Sequence, residues 1–244
     1  MSENYFVIGD IHGELSLMKE MLSFWHKDSE QLVLIGDLAD RGHDNKGTFL
    51  LAKKLVEEEG AIWVKGNHED IILKWLADPV EKFDWYCRNG GVKTINQLLE
   101  RPSDVEIIDP EADALEIKEK YPGLLSLLAD LPLYYETEKY IFVHAGVDLT
   151  IDDWHNTLEK EFYWIRDDFH KAPNTTGKVI VFGHTPTPYL SGFPHTKEVW
   201  YEDGKVGLDG GAVYGGVLFG VRFTDEGLKE VVMLESKKEA CWEE

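Results

Sequence analysis

Leu32-Val33-Leu34-Ile35-Gly36-Asp37-Leu38-Ala39-Asp40-Arg41-Gly42 joins an unbroken apolar run to a turn dense in charge. A short apolar run fits a strand, and the glycine-flanked turn fits the loop at its carboxyl end. The same design recurs before and after it. Tyr5-Phe6-Val7-Ile8 leads into Gly9-Asp10-Ile11-His12-Gly13, and Ala61-Ile62-Trp63-Val64 leads toward Gly66-Asn67-His68-Glu69. Tyr140-Ile141-Phe142-Val143 leads into His144-Ala145-Gly146, and Val179-Ile180-Val181-Phe182 into Gly183-His184-Thr185-Pro186. Leu15, Met18, Leu22 and Trp25 recur at helical spacing, and a second helical stretch runs from about Lys46 to Glu59, stopping near Gly60. Strands alternating with helices predict a layered α/β fold whose functional loops lie beyond the carboxyl ends of the strands.

Residues 75–131 differ in character, with helical patterns, Pro102, Pro110 and Pro122, and acidic runs around Asp104 to Glu119. They predict a mostly helical cap inserted into a single domain spanning 1–244. Beyond residue 195, Val199 to Tyr201, Val206 to Leu208, Val217 to Phe223 and Leu228 to Leu234 read as short strands forming a meander that builds a second sheet. The Lys/Glu-rich tail after Glu235 reads as a solvated end.

Composition narrows the function. Hydrophobic residues at 43% and charged residues at 29% fit a globular domain, and no apolar run reaches the length of a membrane span. The first block starts at Gly9, which leaves no room for a signal peptide and predicts a cytoplasmic protein. Cys87 and Cys241 are too few for a disulfide framework or a zinc knuckle. A net charge of −21 argues against nucleic-acid polymers and anionic membranes as partners, so an anionic substrate needs a local source of positive charge. Bound metal ions would supply it.

The turns offer carboxylate, imidazole and amide oxygen, a mixed donor set suited to Mn²⁺, Fe²⁺ or Zn²⁺ rather than Ca²⁺. One such block alone is often only a turn, but five at strand ends with compatible donors point to one metal centre. His26, His43, His155, His170 and His195 lie outside these blocks and read as surface or loop residues. Trp75, Trp85 and Tyr86 lie beside helical apolar positions and read as core.

Together with Trp85 to Ile95 (WYCRNGGVKTI), Leu131 to Gly146 and Leu208 to Gly216 (LDGGAVYGG), the blocks resemble the bacterial and phage serine/threonine phosphatases of the calcineurin-like metallophosphoesterases. The resemblance covers nearly the whole chain. It implies a four-layer αββα sandwich of two mixed sheets, with Asp10 and His12 on a first ion, Asp37 bridging, and Asn67, His144 and His184 on a second. The ions it implies are Mn²⁺, with Fe²⁺ or Zn²⁺ as alternatives. His68 is then the general acid, oriented by Asp40, while Arg41, Arg166 and Asn67 bind the phosphate. Guanidinium suits that role because its planar fork matches phosphoryl oxygens. The reaction it implies is direct attack on phosphorus by a hydroxide bridging two ions about 3.5–4 Å apart.

The branch implies phosphoserine or phosphothreonine in proteins, or a small phosphoester, as substrate. Symmetrical dinucleoside tetraphosphate hydrolases, and other nucleotide phosphohydrolases, share the metal set and form the alternative. They usually lack an acid where this chain has Asp40, and place Pro where it has Gly42-His43, which ranks the protein phosphatase first. A non-catalytic scaffold is a weaker third reading because every ligand is present. A nuclease is disfavoured by the charge and the lack of a basic stripe.

Overall fold

The structure, a computed structural model, describes residues 4–238; Cys241 lies outside them. The first half runs β1 (Tyr5–Ile8), α1 (Leu15–Leu22), β2 (Gln31–Leu34), α2 (Asn45–Glu59), β3 (Ile62–Trp63) and α3 (Asn67–Ala77). Four helices follow: α4 (Phe83–Arg88), α5 (Gly91–Leu98), α6 (Pro110–Lys120) and α7 (Pro122–Asp130). The second half runs β4 (Tyr134–Glu136), β5 (Tyr140–Val143), α8 (Glu159–Trp164), α9 (Asp167–Lys171), β6 (Val179–Phe182) and α10 (Thr187–Ser191). It closes with β7 (Trp200–Glu202), β8 (Lys205–Gly207), β9 (Val217–Thr224) and β10 (Gly227–Glu235).

The strands form two five-stranded mixed sheets, ordered β10-β9-β1-β2-β3 and β4-β5-β6-β8-β7. Alternation along the central strands explains the layering. Tyr5 and Val7 of β1 face an apolar layer between the sheets, while Phe6 and Ile8 face helices. On β5, Tyr140 and Phe142 enter the inter-sheet layer, while Ile141 and Val143 pack with Trp154, Phe162 and Phe169 on the outer side. Three apolar layers thus separate helix, sheet, sheet and helix. Strands buried on both faces must be apolar throughout, which is why they read as unbroken runs.

Helix α2 starts where the Asp44 side chain accepts from Gly47 N at 2.7 Å and stops at Gly60, which is left-handed with φ 69°. Residues 75–131 are helical as expected. Their Tyr86, Ile95, Leu98, Ile117 and Leu128 share one cluster with Phe6, Ile8 and Leu32, so this segment forms the outer layer on the first sheet.

The expected meander is divided between the sheets. β7 and β8 complete the second sheet, whereas β9 pairs antiparallel with β1, placing Val221 opposite Val7, and carries β10 with it. Gly211 (φ 65°) and Gly215 (φ 87°) turn the chain from one sheet to the other. Val217, Phe219, Val221 and Phe223 fill the shared inter-sheet layer, a face that either sheet could have supplied. The edge strand β4 was not visible as a separate pattern. Among the described residues, no helix is long and apolar enough to cross a membrane.

Candidate metal centre

All five blocks converge at the carboxyl ends of β1, β2, β3, β5 and β6. The first two are joined through backbone: Ile11 N and His12 N both donate to Asp37 O, and Gly13 N donates to Leu38 O. Among the described residues, seven that are not glycine have positive φ, and five of them are His12, Asp37, Asp40, Arg41 and His184. Such backbone costs about 1–3 kcal/mol per residue and persists only where its surroundings over-determine it.

Glu69 supplies much of that determination. Its fully buried carboxylate accepts from Asp37 N (2.9 Å), Leu38 N (2.9 Å) and Gly66 N (2.8 Å), tying the β2 turn to the first turn of α3. Burial and the neighbouring Asp37 push its carboxyl up to about 7. His68 N then donates to Asp37 Oδ1 at 3.0 Å. Close approach requires glycine in two places. A Cβ on Gly66 would come within 2.4 Å of Asp37 Oδ1, and one on Gly183 within 2.1 Å of Asp10 Oδ1.

Two groups of buried donors share Asp37. His12, Asp37 and His68 offer one set, and Asp37, His144 and His184 another, each with its donor atoms within 4.8 Å of one another. His12 Nε2 lies 3.5 Å from Asp37 Oδ2, and His144 Nε2 lies 3.4 Å from Asp37 Oδ1, 3.0 Å from Asn67 Oδ1 and 3.3 Å from His184 Nδ1. Coordination bonds of about 2.1 Å put neighbouring ligands about 3.0–3.4 Å apart, so these spacings fit donors around common centres. Ring orientation fits too. Nδ1 of His144 lies 2.8 Å from Ile35 O and Nδ1 of His12 lies 2.9 Å from Ala39 O, which leaves each Nε2 lone pair facing inward. His68 Nε2 and His184 Nε2 are buried without a hydrogen-bond partner among the described residues.

The charge balance also suits cations. Burial opposes a charged His144, yet Asp37 and Asp10 hold its imidazole up at about 9. Burial and the nearby Asp209 and Asp37 hold the Asp10 carboxyl well above its usual range. The donor set therefore fits the divalent ions expected from the sequence. The Asp10 carboxylate accepts from His184 N at 3.1 Å, and His68 stands with His12 and Asp37 in the first group.

His68 and Asp40 are brought together: His68 Nδ1 donates to Asp40 Oδ2 at 2.6 Å in a fully buried contact. Asp40 also accepts from Tyr86 OH (3.1 Å) and Thr94 Oγ1 (2.5 Å), so two residues of the helical segment reach into the centre. Arg41 places its guanidinium 2.9 Å from His12 Nε2 and 5.7 Å from the centroid of the Tyr214 ring. Arg166 donates to Thr185 Oγ1 at 2.8 Å, while Asp167 pairs with Lys171.

A cavity of about 550 Å³ opens over the centre and is lined by Arg41, Asn67, His68, Arg166 and His184. Its remaining wall was not anticipated. Trp164, Tyr189 and Tyr214 add aromatic surface, and Asp209 adds a buried carboxylate raised to about 6, chiefly by burial. His170, read from the sequence as a surface or loop residue, is half-buried on this wall with its imidazole lowered to about 4 by burial and Arg166. Asp209 and Tyr214 lie within the LDGGAVYGG stretch and Trp164 beside Arg166, which were the available signals.

The family described as calcineurin-like phosphoesterase matches residues 4–216. A protein of Oceanobacillus iheyensis named bis(5'-nucleosyl)-tetraphosphatase PrpE [asymmetrical] is 25% identical over 256 residues, covering 95% of this chain and 92% of its own. Its namesake from Anoxybacillus flavithermus is 27% identical over 246 residues, covering 91% of each chain. A crystal structure named as that of a candidate diadenosine tetraphosphatase aligns with a TM-score of 0.63 at 20% identity, covering 97% of this chain and 95% of its own.

Proposed function

The chain belongs to the calcineurin-like phosphoesterase family, and from that premise we propose that it is a metal-dependent hydrolase of dinucleoside tetraphosphates. The observation that carries the reading is the match, over nine-tenths or more of both chains, to relatives named bis(5'-nucleosyl)-tetraphosphatases. The aromatic wall of Trp164, Tyr189 and Tyr214 beside Arg41 and Arg166 supports it, because nucleosides offer faces to stack and the phosphate chain offers oxygens to a guanidinium.

The proposed ligands are Asp10, His12, Asp37, Asn67, His144 and His184. Divalent ions bound there would supply Lewis-acid charge that activates water and neutralises phosphoryl oxygens. Arg41 and Arg166 orient the phosphate chain from opposite sides. His68, fixed by Asp40, donates a proton to the departing oxygen. Asn67, at the start of α3, bears on the same phosphoryl group.

The protein serine/threonine phosphatase, which the sequence ranks first, becomes the second reading, and the buried His68–Asp40 pair is what favours it. A proton donor matters most for a poor leaving group such as a serine alkoxide and less for a polyphosphate, which leaves as a stabilised anion. The test is a side-by-side rate comparison of diadenosine tetraphosphate, phosphoserine peptides and phosphotyrosine peptides with Mn²⁺-loaded protein. Preference for the dinucleotide is the expected result, and preference for a phosphopeptide overturns it. Chromatography of the products separates an asymmetrical cut, giving a nucleoside triphosphate and a monophosphate, from a symmetrical one, giving two diphosphates. Lack of turnover of every substrate with any divalent ion would restore the scaffold reading.

A further inference from the structure

Behind Trp164 lies a second cavity of about 640 Å³, lined by Lys74, Glu81, Lys82, Trp85, Lys160 and Trp164. Its charge runs against the whole molecule. The chain carries 46 acidic residues against 25 basic ones, yet this wall has three lysines and one glutamate. Lys74 is engaged with Asp70 at 2.7 Å, whereas Lys82 and Lys160 have no ion-pair partner among the described residues. Trp164 belongs to both cavities, and its indole stands edge-on to the His184 ring with centroids 5.7 Å apart. A molecule whose phosphate rests between Arg166 and His184 therefore meets Trp164 next, and beyond it the lysines and Trp85.

We propose that this second cavity is a subsite for the distal nucleotide of the substrate, with the indoles of Trp85 and Trp164 against its base and Lys82 and Lys160 on its phosphates. The proposal rests on the dinucleotide reading above. Each cavity falls within the range of about 300–1,000 Å³ usual for small-molecule sites. The chemistry also matches: unpaired ammonium groups are mobile point charges suited to polyphosphate oxygens, and indole faces accept any base by stacking. Divided this way, the first cavity holds the phosphorus under attack and the second holds the portion that distinguishes a dinucleotide from a simple phosphoester.

The experiment compares kcat/KM for diadenosine tetraphosphate with kcat/KM for p-nitrophenyl phosphate in the Mn²⁺-loaded parent and in the double variant Lys82→Glu/Lys160→Glu. The ratio of the two values is expected to fall by about tenfold or more, through KM for the dinucleotide. Lys160→Glu alone, at an exposed position, is expected to give a smaller fall in the same direction and keeps the test readable if the double variant does not fold. A parent that turns over the dinucleotide and variants that keep the parental ratio overturn the subsite alone. Equal losses on both substrates also overturn it, because they mark the lysines as supports of the metal centre. A parent that turns over p-nitrophenyl phosphate but not the dinucleotide overturns the underlying reading and the subsite together.

Discussion

On the wall of the metal centre built from the first sheet, Glu69 and Asp40 each gather three hydrogen bonds from buried donors. On the wall built from the second sheet, Arg166 is exposed, and its guanidinium is held by Thr185 Oγ1 and, more loosely, by His184 O at 3.4 Å. Four of the five left-handed site residues belong to the first wall, and only His184 belongs to the second. Hydrogen-bonded, left-handed backbone is concentrated on the first wall, and the freer guanidinium of Arg166 lies on the second. The difference separates donors fixed by their backbone from side chains with room to move.

The largest break in this contrast is Glu69→Ala. It leaves three buried N–H groups without an acceptor, and the loss is expected to reach about 5 kcal/mol in urea unfolding, with divalent-ion binding lost in calorimetry. Stability within about 1 kcal/mol of the parent would mean that the β2 turn holds itself. Next in size, His68→Asn is expected to keep ion binding while lowering kcat on alkyl phosphates by about a hundredfold, with a smaller loss on diadenosine tetraphosphate. Equal losses on both would remove His68 from proton delivery to the leaving group. Smallest is Arg166→Ala on the freer wall, expected to raise KM by about tenfold with little change in melting temperature. A fall of several degrees in melting temperature would show that the second wall is as tightly built as the first.

The layered fold and the donor blocks were legible for the same reason: strands buried on both faces leave unbroken apolar runs, and each block follows one within a few residues. The division of β7 to β10 between two sheets was not. Val206 and Val221 have similar neighbours in sequence, and only the left-handed turns at Gly211 and Gly215 send them to different sheets. Glu69 was visible as part of a block, yet its work depends on the N–H groups of Asp37 and Leu38, about thirty positions away. His170 and Tyr189 reach the cavity from α9 and α10, helices of five residues each and too short to carry a periodic signal. Asp40 reads from the sequence both as a mark of substrate class and as the residue that orients His68, and its partners His68, Tyr86 and Thr94 fit the second of these. Under the proposed function a proton donor can serve several leaving groups, so Asp40 alone does not choose the substrate.

The bonds from Tyr86 and Thr94 to Asp40 also bear on how such a protein could be recombined. A graft that exchanged residues 75–131 for the helices of another chain would strip Asp40 of two of its three donors. The outer helices therefore do not behave as a detachable accessory. Any chimera with a breakpoint between the second block and α5 inherits an under-bonded Asp40 unless a hydroxyl is restored at both positions.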